Sequence, residues 1–273
     1  MTRGGVRGLV ARWRGRDIEL KSPHELDAMR AAGALVARTL AEVATLAKSG
    51  VSTAELDALA EQTIRDAGAE PSFKGYHGYP ASICASVNEQ IVHGIPSPTR
   101  VLADGDLISV DCGAVLDGWH GDAAVTIPIG VVAEADLLLS AACEAALSAG
   151  IAAALVGARL SDISHAVQSS IAASAARNRA DYGVVAEYGG HGIGSAMHMD
   201  PFLPNYGEPG HGPRLRQGMA LAIEPMITAG DPETVELEDG WTVVTASGMR
   251  AVHWEHSVAI TADGPRVLTL PAS

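Results

Sequence analysis

Residues 106–130, DLISVDCGAVLDGWHGDAAVTIPIG, hold two β-type runs on either side of an Asp117-Gly118 turn signal, the short-range mark of an antiparallel hairpin. Asp111 and Asp122 stand on opposite arms at nearly equal distances from that turn, which makes them expected cross-strand or diagonal neighbours. Further β-type runs lie at MALAIEPMIT (219–228) and HWEHSVAIT (253–261). The stretch between the hairpin's half and these runs, MDPFLPNYGEPGHGPRLRQG (199–218), carries four prolines and four glycines and is expected as loop.

Helices precede each β-rich region. Ser22 and Glu25 frame a capping box with Pro23 at the first helical position, opening a helix expected to stop at Gly50. Ser52 and Glu55 repeat the device for a second helix that Gly68 ends. Later, LLLSAACEAALSAGIAAALV runs to Gly157 and is followed by SDISHAVQSSIAASAARN. When one half is slid onto the other, Gly50, Glu55 and Leu56 fall on Gly157, Asp162 and Ile163. Two helices followed by strands, occurring twice, predict an α+β fold of two halves around a shared antiparallel sheet rather than a doubly wound parallel one.

The 273 residues suffice for an ample core. A net charge of -13 argues against nucleic acid, and specific DNA in particular, as the main partner. Three scattered cysteines suit a reducing compartment. With no secretory signal in MTRGGVRGLVARWRGRDIEL and no later segment read as long enough to cross a membrane, the expectation is a cytoplasmic protein without a membrane partner. Residues 1–21 read as a basic, flexible arm, with contact to ribosomal RNA as the sharper alternative, and residues 22–273 as a single catalytic domain, monomeric by default.

Asp111 lies inside an apolar run, Glu224 inside ALAIEPM, and Glu255 at the head of a strand, all places where an unpaired carboxylate is costly to desolvate. Two carboxylates about 5 Å apart at an effective dielectric near 20 repel by roughly 3 kcal/mol. Convergence of four therefore demands cations, and oxygen-rich ligation completed by His191 suits manganese, iron, cobalt or zinc. Glycines flank His191 in YGGHGIGSAMH, which also holds His198, and His93 lies in ICASVNEQIVHGIP. Singly, each residue also reads as a turn acid, a strand-end charge or a loop histidine. Together they form a set that points to a two-metal hydrolytic centre.

In this order, GYHGYPASICASVNEQIVHGIP, DGDLISVDCGAVLDGWHGDAA, GGHGIGSAMH, ALAIEPM and WEHSVAIT resemble the type I methionine aminopeptidases of bacteria from about Ser22 to the C-terminus. The resemblance implies the pita-bread fold, two divalent ions and a water between them made nucleophilic near neutral pH. It implies that Asp122 and Glu255 bridge the ions, Asp111 completes one site, and His191 with Glu224 completes the other. It further implies Glu224 as proton shuttle, His198 as the hydrogen-bond donor to the scissile amide and its oxyanion, and His93 as the residue that positions the substrate or protonates its leaving nitrogen. For the methionine pocket it points to Phe73, Tyr76, Tyr79, Cys84, Met197 and Trp241, with His93 and His198 at its edge. Such relatives commonly carry phenylalanine where Met197 stands, so a more pliable pocket is expected.

The substrate implied is the N-terminal peptide of a nascent protein, with methionine first and a small residue second. Aminopeptidase P and prolidase share the ligand logic but carry a long N-terminal domain ahead of it, and type II enzymes carry a helical insertion between the positions of His198 and Glu224. A partner-binding module that has lost catalysis is the rival of another class, and such modules typically lack ligands that are all present here.

Overall fold

The computed structural model describes residues 18–271. The first half contains α1 (Pro23–Leu46), α2 (Thr53–Asp66), β1 (Glu70–Pro71), β2 (Ile83–Val87), β3 (Gln90–Val92), β4 (Leu107–Leu116) and β5 (Trp119–Pro128). The second contains α3 (Glu134–Ala153), α4 (Leu160–Asn178), β6 (Tyr182–Val184), β7 (Gly190–Gly192), β8 (Met199–Leu203), β9 (Ala220–Ile223), β10 (Met226–Ala229), β11 (Thr234–Glu236), β12 (Val243–Thr245), β13 (Ala251–His253), β14 (His256–Thr261) and β15 (Gly264–Val267). The expected α+β class holds, and every strand pair is antiparallel.

Both capping boxes form: Ser22 N–H donates to Glu25 Oε2 at 2.7 Å and Ser52 N–H to Glu55 Oε2 at 2.8 Å. The echo between the halves extends to the backbone. Gly50 N–H donates to Leu102 O and Leu102 N–H to Val51 O, while Gly157 N–H donates to Leu215 O and Leu215 N–H to Ala158 O. Glu55 has its counterpart in Asp162, whose Oδ2 accepts from Arg159 N–H at 2.7 Å at the start of α4. Two core clusters follow the same division, one around Leu56, Ile64, Ile108 and Val110, the other around Leu147, Ile163, Leu221 and Ile223. Helix α1 lies close over β5, where a Cβ on Gly121 would stand 2.7 Å from Gly33 N.

Three sequence expectations are corrected. The runs at 219–228 and 253–261, each read as one strand, break and change sheet, and the antiparallel pairing falls into four hydrogen-bonded ladders. One break falls at Glu224-Pro225, where proline has no N–H to donate, and the other at Trp254-Glu255. The stretch 199–218 is not all loop: β8 forms at its start as the edge strand of the β15-β14-β9-β7-β8 sheet, an edge being where Pro201 is tolerated. Finally, α3 is long and apolar enough to cross a membrane by length and composition, yet here it packs along α4 and buries Leu139, Cys143, Ala146 and Leu147 in the core.

The arm boundary drawn at residue 21 also moves. Residues 1–17, with the ribosome contact suggested for them, lie outside the described residues, but residues 18–21 are docked. Ile18 packs on the second core and Lys21 N–H donates to Gly218 O at 2.7 Å. Glu19 bonds Lys21 Nζ at 3.2 Å and accepts from Ser195 Oγ at 2.5 Å.

Candidate metal centre and substrate pocket

The hairpin register sets the first pair of carboxylates. Asp111 pairs with Ala124 and Asp122 with Gly113, so the two aspartates are diagonal neighbours on one face. The same row continues on both sides: Cys84 pairs with Asp111 across β2 and β4, and Glu255 exchanges backbone hydrogen bonds with Ala124. Ser257 clamps the Asp122 backbone, accepting from its N–H at 3.0 Å and donating to its carbonyl at 2.8 Å. Glu224 and Glu255 sit at the two sheet-switching breaks, and Asn205 Nδ2 fixes the Glu224 carbonyl at 2.9 Å. A strand break thus turns each glutamate out of its ladder and toward the hairpin.

His191 comes from β7, beside β9. Its Nδ1 lies 2.9 Å from Gly192 O; a carbonyl only accepts, so Nδ1 carries the proton and the Nε2 lone pair faces the carboxylates. Nε2 stands 3.5 Å from Glu224 Oε1 and 3.9 Å from Asp122 Oδ2. All five expected ligands line one cavity of about 170 Å³, together with Phe73, Tyr76, Tyr79, Cys84, His93, Met197, His198 and Trp241. Every residue singled out in the sequence therefore meets at one place. The ring of His198 lies 4.3 Å from that of His191, centre to centre and tilted by 52°, at the exposed mouth. His93 holds a left-handed backbone, φ 59, an unusual conformation for a side-chain-bearing residue.

Sequence reasoning missed His253, whose side chain lines the same cavity and lies 3.6 Å from Glu224 Oε2 and 3.9 Å from Glu255 Oε2. The available signal was the two-residue spacing to Glu255, which places both on one side of an extended chain. It also missed Glu187, Tyr188, Asp200 and Phe202, which with His93, His198 and Glu224 line an adjoining outer cleft of about 590 Å³.

Burial dominates the electrostatics. It pushes Asp111 up to about 7 and Asp122, Glu224 and Glu255 well above the ordinary carboxylate range, with the neighbouring acids adding to the rise for Asp122 and Glu255. It pushes His191 down to about 3 and His93 to about 4, so both imidazoles are neutral near pH 7. Asp111 Oδ1, Asp122 Oδ1 and Glu255 Oε1 are buried without any hydrogen-bond partner. Three orphaned carboxylate oxygens in one cavity are costly, and with neutral imidazole beside them they fit a divalent cation in an oxygen-rich site.

A family of metal-dependent peptide hydrolases accounts for this arrangement: residues 27–262 match metallopeptidase family M24, and the chain belongs to that family. Within it, the similarity is to methionine aminopeptidases. The chain is 59% identical over 262 residues to methionine aminopeptidase 1 of Mycobacterium tuberculosis, covering 96% of this chain and 98% of that protein. It is 50% identical to methionine aminopeptidase 1 of Bacillus subtilis, covering 91% and 98%. The crystal structure of a methionine aminopeptidase from Thermotoga maritima superposes with a TM-score of 0.89 at 41% identity, covering 93% of this chain and 99% of that one. The pita-bread fold of that family is the fold seen here.

Proposed function

We infer that this chain is a methionine aminopeptidase that removes the initiator methionine from proteins with a small second residue, using two divalent ions of cobalt, manganese, iron or zinc. The observation that carries the reading is the junction, in one cavity, of the acidic ligand set with a closed apolar and sulfur-lined pocket. Three buried cysteines, all free, agree with action in the reducing cytoplasm, where nascent chains emerge.

Asp122 and Glu255 would bridge the ions, Asp111 would complete one site, and His191 with Glu224 the other. Bound there, the ions supply Lewis acidity toward the scissile carbonyl and make water acidic enough to attack near neutral pH. The pocket fixes the reaction's direction. Phe73, Tyr79, Cys84 and Met197 are buried against one another, and an unbranched thioether entering between them meets polarisable, apolar surface. The Tyr79 hydroxyl shares its one proton between Ile83 O and Gly94 O, at 3.0 and 3.1 Å, so the back wall is rigid while Met197 supplies the give.

With the side chain seated, the scissile amide falls between Glu224 and His198. Glu224, whose carboxyl burial raises above the ordinary carboxylate range, takes the proton of the attacking water on a carboxylate oxygen and passes it to the leaving amine. Neutral His198 donates a hydrogen bond to the amide oxygen as charge develops on it. His93 is neutral at working pH, which favours its role in positioning the substrate over protonating the leaving nitrogen. The rest of the peptide runs into the outer cleft past Tyr188 and Phe202.

The test is release of methionine from a Met-Gly-Met peptide and a Met-Leu peptide by chelated protein, before and after adding cobalt or manganese. Metal-dependent release confined to the small second residue is expected. Silence with every metal would transfer the chain to the partner-binding reading.

A further inference from the structure

We propose that His253 is itself a ligand of the cation centre, a second imidazole donor opposite His191. The inference rests on the cation-binding reading of this cavity. His253 is 1% exposed, and its Nε2 is buried without a hydrogen-bond partner. That atom is aimed between two carboxylates, 3.6 Å from Glu224 Oε2 and 3.9 Å from Glu255 Oε2. His191 Nε2 holds the matching position, 3.5 Å from Glu224 Oε1 and 3.9 Å from Asp122 Oδ2. Each oxygen of Glu224 therefore faces its own imidazole.

The separations identify the relation. Those at His253 are too long for N–H···O hydrogen bonds, which cluster near 2.9–3.0 Å. Two donors each about 2.1 Å from a shared ion lie about 3.0–4.2 Å apart, as the angle between them opens from a right angle to a straight line. Both spacings at His253 fall in that interval. An imidazole left there without proton partner or ion would forfeit its solvation for nothing.

His253 is also placed as firmly as a ligand needs to be. Its N–H donates to Ser109 Oγ at 3.1 Å, and its carbonyl accepts from Thr126 Oγ1 at 2.9 Å. Ser109 and Thr126 are bonded to each other across the β4–β5 hairpin at 2.9 Å, the same hairpin that carries Asp111 and Asp122. The ring is thus built on the strands that fix the carboxylates. A second nitrogen donor shifts the preference of this end of the centre toward cobalt, iron or zinc and away from manganese.

The experiment is cobalt K-edge X-ray absorption on the full chain loaded with two equivalents of cobalt(II), with calorimetric affinities, for the wild type and for His253→Gln, which keeps a hydrogen-bond donor but removes the imidazole. His191 and His253 fall in separate ligand groups that share Glu255, so two imidazoles per loaded chain in the wild type, one in the variant, and binding weakened at least about tenfold are expected. The wild-type count is decisive even if the variant does not fold. One imidazole per loaded chain in the wild type overturns the inference and leaves the cation site standing, and so does weaker binding with an unchanged count. No cobalt bound by chelator-treated wild type overturns the site reading itself.

Discussion

Replacing Asp111 by Asn should make the metal-stripped protein more stable, chiefly at higher pH. Burial, opposed by His253 and reinforced by Glu224, raises the Asp111 carboxyl from 3.8 to about 7. Between these values the folded chain keeps a proton that the unfolded chain releases. Ionisation then favours the unfolded state, so stability falls as pH rises from about 4 to about 7 and stays lowered beyond. A difference of about 3 in pKa is worth about 4 kcal/mol, and pocket water around the half-buried side chain screens part of it. The expected gain for Asp111→Asn at pH 8 is therefore about 2–4 kcal/mol, or roughly 4–10 °C in Tm for a chain of this size. At pH 4, where the folded carboxyl is protonated and the unfolded one is only about half ionised, the gain shrinks to about 0.6 kcal/mol. Thermal and urea melts in chelator at the two pH values measure it. Equal stability at pH 8, or the same gain at pH 4, would refute the account of a site strained by its own charge.

Glu224→Ala should abolish turnover in metal-replete assays while circular dichroism stays native, since the residue sits at a strand break rather than in the core. His198→Ala should lower kcat about 10²–10³-fold and leave the metal Kd within about twofold, as calorimetry would read it. Gly113→Ala puts a Cβ 2.9 Å from Phe73 Cε1 and 3.3 Å from Met197 Cε; the pocket narrows, and KM for Met-Gly peptides rises several-fold with metal affinity unchanged. Gly121→Ala presses a Cβ onto the backbone of Gly33, and melts should show a loss of about 1–3 kcal/mol.

The helices and the hairpin were legible because their determinants are local: the boxes at Ser22/Glu25 and Ser52/Glu55 and the Asp117-Gly118 turn act within a few residues. So was the convergence of the acidic residues on one cavity, since carboxylates inside apolar runs announce their cost. What escaped was set by tertiary contacts. The runs at 219–228 and 253–261 read as continuous strands, and nothing local says that each crosses between sheets at its glutamate. β8 escaped because only an edge position makes Pro201 compatible with pairing. The length and apolarity of α3 were passed over, although its destination beside α4 is again a matter of packing. His253 escaped because a histidine at a strand's end reads as ordinary until Ser109 and Thr126 are seen to hold it.

The docking of Glu19 and Lys21 has a mechanical side. Ser195 lies two residues before Met197 and three before His198, and it is gripped by Glu19 through its hydroxyl and, at 3.3 Å, its N–H. Gly194 leaves no room for a side chain beside Lys21. The chain's point of entry and the lip of its pocket are thus fastened together, four residues before α1 begins at Pro23. The segment before the first helix is a tether, seated on the core through Ile18 and tied through Glu19 to the loop that carries Met197 and His198.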